Sequence, residues 1–201
     1  MSDIRVCFFG DSFVNGTGDP TYLGWTGRVC AAIDAAIDTE HSLTYYNLGI
    51  RGNTSMQIEN RWQLEANLRL LSDCEPCLVF SFGVNDTRLE SGSLLIDPDS
   101  SVTIARRLLS GAKAQYPTLM VGPPPIAEAA ANVRIAQTSL AYSKLCAEIE
   151  VPYLETYRPL SENLIWMQEV AIVDGAHPAA GGYEALASLV SKWPAWQDWF
   201  I

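Results

Sequence analysis

The chain has 201 residues, 48% apolar and 18% charged, a composition that fits one globular domain over residues 1–201 rather than a disordered polymer. Thirteen basic against 23 acidic residues give a formal charge of −10, which argues against nucleic acid as the main partner and against adsorption to anionic membranes. The opening Met1-Ser2-Asp3 lacks the basic segment of an export signal. No stretch approaches the ~20 apolar residues of a membrane span. With five cysteines, an odd number, the expectation is a cytoplasmic protein with reduced core thiols.

Residues 4–9 form an apolar run of strand length, followed at once by Gly10-Asp11-Ser12. A helix is predicted over 25–37, with Val29, Ile33 and Ala36/Ile37 on one face, then a strand over 42–48. A longer helix is predicted over 54–71. It carries Ile58, Trp62 and Leu68/Leu71 on one stripe and opens on the capping box Thr54-Ser55-Met56-Gln57. A strand over 78–82 precedes a helix that has Asp97 as N-cap, Pro98 at N1, and Val102, Ala105, Leu108/Leu109 and Ala112 as its buried stripe. Strands over 119–122 and 151–154 and helices over 132–149 and 179–193 complete the pattern, with Pro178 just inside the start of the last helix and His177 near its N-cap. Alternating β and α segments imply a three-layer α/β sandwich around a parallel sheet of five strands. Ligands of such sheets bind outside the carboxyl ends of the strands, so chemistry is to be sought in the strand-to-helix loops.

Four loops hold polar groups suited to acyl transfer. Ser12, at the mouth of the first strand, is the candidate nucleophile. His177, one of two histidines, is the candidate general base, since imidazole with its ordinary pKa of about 6.5 suits that work at neutral pH. Asp174, three residues earlier, is the candidate orienter of the imidazole. Oxyanion donors are available from the backbone N–H of Ser12, at the start of the helix expected to follow it, from the backbone N–H of Gly52, and from the side chain of Asn85.

Gly10-Asp11-Ser12, Gly52, Gly83-Val84-Asn85-Asp86 and Asp174-x-x-His177 resemble, in order, the four sequence blocks of the SGNH (GDSL-type) esterases and lipases. The likeness runs from residue 4 to about 190. It implies a flavodoxin-like fold, hydrolysis of carboxylic esters without a cofactor or metal, a Ser12–Asp174–His177 triad, and an oxyanion hole of Ser12, Gly52 and Asn85. The chain departs from the pattern at Phe13, where the family carries Leu. A Gly24-Trp25 pair leading into the first helix resembles a subset of the family. The Gly-x-Ser-x-Gly elbow of the α/β-hydrolases is absent.

Other features have plainer readings. Cys74-Glu75-Pro76-Cys77 precedes a strand rather than opening a helix, and no second pair completes a zinc site, so it reads as structural. Asp11 and Asp86 read as turn-holding carboxylates, and His41 as an exposed loop residue. Arg51 and Arg88 flank the site, where they either face solvent or meet an anionic substrate. Residues 122–127 form a rigid, Pro-rich wall, and 87–100 an irregular specificity loop. The Trp-rich tail, 193–200, either packs on its own domain or makes a homodimer contact. The implied partner is a small-molecule ester. A non-catalytic binding module and an acyltransferase using the same triad are the alternatives, and a flavin site lacks its phosphate-binding Ser/Thr run.

Overall fold

A computed structural model of the protein describes residues 2–34 and 41–200. In chain order the elements are β1 (Ser2–Gly10), the single turn α1 (Ser12–Asn15), α2 (Gly24–Asp34), β2 (His41–Gly49), α3 (Ser55–Glu59), α4 (Trp62–Asn67) and β3 (Glu75–Ser81). A 3-10 turn (Asn85–Thr87) leads to the hairpin β4 (Leu89–Glu90) and β5 (Ser93–Leu94). Then follow α5 (Pro98–Lys113), β6 (Thr118–Val121), α6 (Ala129–Glu148), β7 (Tyr153–Leu154), α7 (Tyr157–Ser161), α8 (Leu164–Val173), α9 (Ala180–Ser191) and α10 (Pro194–Gln197).

The main sheet is parallel, in the order β2-β1-β3-β6-β7. This is the doubly wound, flavodoxin-like order, with helices on both faces. Alternation along the strands splits the core in two. Ile4, Val6 and Phe8 of β1, Val79 of β3 and Leu119 and Val121 of β6 face one layer. Cys7, Phe9, Leu78, Phe80 and Met120 face the other. The register brings three strand ends level, with Gly10 opposite both Gly49 and Ser81. The loops after β1, β2 and β3 therefore leave the sheet side by side.

The predicted helix over 54–71 is two helices, α3 and α4, with the break at Asn60-Arg61. Arg61 has φ −120°, and its guanidinium turns inward to donate to the carbonyls of Gly10 and Leu48 at 3.1 and 2.8 Å. Two strand-end carbonyls gain a charged donor, in addition to the Ile50 N–H that Gly10 O already accepts at 3.1 Å, and an uninterrupted helix would carry that donor away from them. The capping box is present, with Thr54 N donating to Gln57 Oε1 at 2.8 Å.

The 87–100 segment is more ordered than its composition suggests. Ser91 and Gly92, both at positive φ, make the two-residue turn of the β4–β5 hairpin. The helix predicted over 179–193 is α9, which begins at Ala180, so Pro178 and His177 lie before its cap rather than in it. The Glu169 carboxylate of α8 caps it instead, accepting from Gly181 N and Gly182 N at 3.2 and 2.6 Å. Helices α7 and α8 have no counterpart in the sequence reading. The apolar residues of α8 run all round it, leaving Leu164, Ile165 and Ile172 exposed, so no 3.6-residue stripe marks it.

The expected Ala36/Ile37 end of the first long helix lies outside the described residues. His41 opens β2 rather than sitting in a loop, and its side chain is outside the description. Cys74 and Cys77 form no disulfide. Cys77 is in β3, and burial pushes its thiol up to about 12. Trp196 of the tail is buried against Phe8, ring centroids 5.9 Å apart, and Trp199 and Phe200 pack on Trp196. Among the described residues, no helix is long and apolar enough to cross a membrane.

Candidate active site

Ser12 is the first residue of α1, directly beyond β1. Asp11 caps the turn, its Oδ1 accepting from Phe13 N at 2.9 Å, and Gly16 at φ 82° ends it. The N–H of Ser12, first in the turn, has no intrahelical acceptor. Because α1 is one turn long, a summed helix dipole adds little here, contrary to the support the sequence suggested.

His177 and Asp174 arrive from the far end of the chain. Asp174 is the C-cap of α8, and its Oδ1 accepts from Ala176 N at 3.0 Å and His177 N at 2.8 Å. That turn folds the imidazole back, so Nδ1 lies 2.7 Å from Asp174 Oδ2. Nε2 lies 2.7 Å from Ser12 Oγ. Ser12 and His177 are both buried. Burial alone would raise the Asp174 carboxyl, but the hydrogen bonds from His177 and Ala176 outweigh it and hold its pKa below the usual carboxylate range.

The imidazole is supported from behind. Its ring lies 5.1 Å from that of Phe13, which stacks in turn on Trp166 at 6.2 Å. Trp166 Nε1 donates to Pro125 O at 3.0 Å, tying α8 to the Pro-rich loop. Gly18, at φ 91°, passes close behind His177; a Cβ there would stand 2.7 Å from Pro178 O and 3.2 Å from His177 Cβ. Tyr183 of α9 pins that loop, donating to Thr17 O at 2.7 Å.

Gly52 and Asn85 share one open pocket of about 500 Å³ with Ser12 and His177. Gly52 has φ 79°, and a Cβ there would meet nothing within 4 Å. A side chain at that position would strain the turn and project into open space beside the pocket. Asn85 begins the 3-10 turn after β3. Its Nδ2 donates to Asn53 O at 3.1 Å and, more weakly, to Asp11 Oδ2 at 3.3 Å. Asp11 is fully enclosed, and that desolvation, opposed by the Phe13 N–H and reinforced by nearby Asp86, pushes its carboxyl up to about 7. The structure thus brings together all five expected site residues: Ser12, Gly52, Asn85, Asp174 and His177.

Asp86 turns away from the pocket, as expected of a structural carboxylate. It accepts from Ser55 N at 2.8 Å and Ser101 Oγ at 2.6 Å and lies 3.2 Å from Tyr142 OH. Ile126 of the Pro-rich loop and Thr87, Arg88 and Leu89 of the expected specificity loop do line the pocket. Three contributors escaped the sequence reading. Arg61 was hidden inside a helical pattern, Trp166 sat in an unassigned apolar run, and Arg134 reaches the pocket from the first turns of α6. An arginine interrupting an otherwise apolar helical stripe was the one available signal, at Arg61. Among the described residues, no cluster of three or more His, Cys, Asp or Glu side chains is placed to hold a metal ion.

The model of the GDSL-like lipase/acylhydrolase family matches residues 8–185. The chain belongs to that family. It is an enzyme that hydrolyses ester bonds. Solved structures with the same fold as this GDSL-like hydrolase include a lipase/acylhydrolase from Enterococcus faecalis, 20% identical, covering 94% of both chains with a TM-score of 0.76. The acetylxylan esterase Axe2 from Geobacillus stearothermophilus is 19% identical, covering 94% of this chain and 92% of its own, with a TM-score of 0.73. LAE5, an alpha/beta hydrolase enzyme from the metagenome of Lake Arreo, Spain, is 17% identical, covering 94% of both chains at a TM-score of 0.75. No curated protein gives a significant match.

Proposed function

We propose that this GDSL-like hydrolase is a serine esterase that cleaves small carboxylic esters through an acyl-enzyme on Ser12. The observation that carries the reading is the unbroken relay from Asp174 Oδ2 through His177 to Ser12 Oγ, with both contacts at 2.7 Å. A binding module has no use for a serine hydroxyl held against an oriented imidazole.

In the proposed cycle, Ser12 Oγ attacks the ester carbonyl as His177 Nε2 takes its proton. Asp174 holds the tautomer with hydrogen on Nδ1 and stabilises the imidazolium that forms. The oxyanion is received by the N–H groups of Ser12 and Gly52 and by Asn85 Nδ2. At Asn85 it competes with Asp11 for the more weakly bonded amide proton, the one spanning 3.3 Å. His177 then protonates the leaving alcohol. A water molecule, deprotonated by the same imidazole, releases the acid; an alcohol in that place would give acyl transfer. Each oxyanion donor supplies roughly 3–4 kcal/mol of transition-state stabilisation by analogy with measured donor deletions.

The pocket, about 500 Å³ and open, accommodates short acyl or acetyl groups together with a sizeable alcohol. With p-nitrophenyl acetate, the reading predicts a burst of nitrophenol equal to the enzyme concentration and loss of turnover in Ser12→Ala. Turnover surviving in Ser12→Ala would refute it.

A further inference from the structure

Within this ester-cleaving reading, the arginines around the pocket specify a substrate class. The chain has ten arginines. Among the described residues, six pair with a carboxylate: Arg5, Arg28, Arg61, Arg69, Arg106 and Arg107. Among the described residues, Arg51, Arg88, Arg134 and Arg158 have no carboxylate partner, and the first three line the pocket that holds Ser12. In a chain of net charge −10, carboxylates are plentiful, yet three cations around one cavity form no ion pair among the described residues.

Their positions suit an anion beside the reacting centre. Arg51 precedes Gly52, and Arg88 follows the 3-10 turn that carries Asn85. Both are exposed at the mouth. Arg134 is held from α6 by two carbonyls, its Nε donating to Thr87 O at 3.0 Å and its Nη1 to Ala130 O at 3.1 Å. That leaves Nη2 without a protein acceptor among the described residues, on a guanidinium already fixed in place. Among the described residues, Glu128 is the one carboxylate lining the same cavity. Forked, prepositioned guanidinium donors favour carboxylate and phosphate oxygens over neutral groups.

We propose that the ester hydrolysed here carries an oxyanionic group, a carboxylate or phosphate, outside the bond that is cut, and that Arg51, Arg88 and Arg134 receive it. The proposal rests on Ser12 chemistry at this site and is tested separately from it. Two matched pairs place the charge on either side of the ester: 4-acetoxybenzoate against its methyl ester, and mono-4-nitrophenyl adipate against 4-nitrophenyl hexanoate. 4-Acetoxyphenyl phosphate distinguishes phosphate from carboxylate. Each kcat/KM is normalised to the substrate's own alkaline hydrolysis rate.

The expected result is a preference of at least about tenfold for the charged member of one pair or for the phosphate at low ionic strength, as charge-assisted contacts provide. The preference shrinks in about 0.5 M salt and collapses toward one in Arg51→Gln/Arg88→Gln. Arg88→Glu, which reverses the charge of an exposed side chain, moves the ratio the same way or further. Ratios of one or below for both pairs and the phosphate overturn the proposal, as does a preference untouched by these substitutions. If both members of each pair still turn over in Ser12→Ala, the Ser12 reading fails, whereas loss of all turnover there with wild-type ratios of one removes only the arginine proposal.

Discussion

Arg61 Nε donates to Asn53 Oδ1 at 3.0 Å, and the backbone oxygen of the same Asn53 accepts Asn85 Nδ2 at 3.1 Å. One guanidinium therefore reaches the pocket through a single intermediary. Its other nitrogens bind Gly10 O, Leu48 O and Glu65, and the group lies over the Phe9 ring at 5.7 Å from its centroid. Arg61→Met removes these charge-assisted donors from the two strand ends, at a cost of about 1.5–3 kcal/mol in stability. The expected kinetic signature is a fall in kcat of about tenfold or more with KM little changed, because the donor geometry at Asn85 loosens. A thermal melt and a Michaelis–Menten series read both effects. Wild-type kcat in a folded Arg61→Met protein would show that Asn85 needs no such support.

Asp174→Asn keeps an acceptor for the Ala176 and His177 N–H groups but loses the charge and allows the wrong imidazole tautomer. By the serine-triad template, kcat falls by roughly 10³–10⁴-fold while the fold is retained. Steady-state kinetics and a thermal melt of Asp174→Asn read the two effects, and wild-type kcat in the folded variant would contradict the role of Asp174.

Gly18 is a backbone contact rather than a chemical group. With φ at 91° and Pro178 O only 2.7 Å from where a Cβ would stand, Gly18→Ala forces the loop and the His177 segment apart. A loss of about 1–3 kcal/mol in stability is expected, together with reduced kcat. Urea unfolding and the p-nitrophenyl acetate assay measure the two. An alanine variant as stable and active as wild type would mean that the loop relaxes without disturbing the imidazole.

Two buried aspartates give opposite pH dependences of stability. Burial would raise Asp19, but donors from Arg28, Thr21 and Gly24 outweigh it and hold its pKa at about 2. Its folded pKa lies below the unfolded value of about 3.9, so its stabilisation is present above that value and is lost as pH falls toward 2. Asp11 has its folded pKa raised to about 7, so the folded state holds a proton that the unfolded chain has released, and stability falls as pH rises from about 4 to 7. Urea midpoints across pH 2–8 should flatten on the acid side in Asp19→Asn and on the upper side in Asp11→Asn. An unchanged acid limb in Asp19→Asn would rule out the Arg28 pairing as its source.

Much of this architecture is legible in the sequence because buried parallel strands are short apolar runs, and because each site residue follows such a run or precedes α9. Ser12, Gly52 and Asn85 could be placed that way, and the level ends of β1, β2 and β3 bring them together. What escaped has physical causes. Helix α8 is apolar all round, so periodicity could not reveal it, although it delivers both Trp166 and Asp174. The α3–α4 break is set by what the Arg61 side chain reaches across the fold, a tertiary demand that overrides a good helical stripe. The cap of α9 comes from Glu169, eleven residues before the helix starts, and local capping patterns do not reach so far.

The most direct measurement is covalent labelling of the enzyme with a fluorophosphonate, followed by intact mass and peptide mapping. The expected result is one adduct per chain, on Ser12, forming in step with loss of esterase activity and absent in Ser12→Ala. An adduct on another residue, or full inhibition with Ser12 unmodified, would contradict the assignment of Ser12 as the nucleophile.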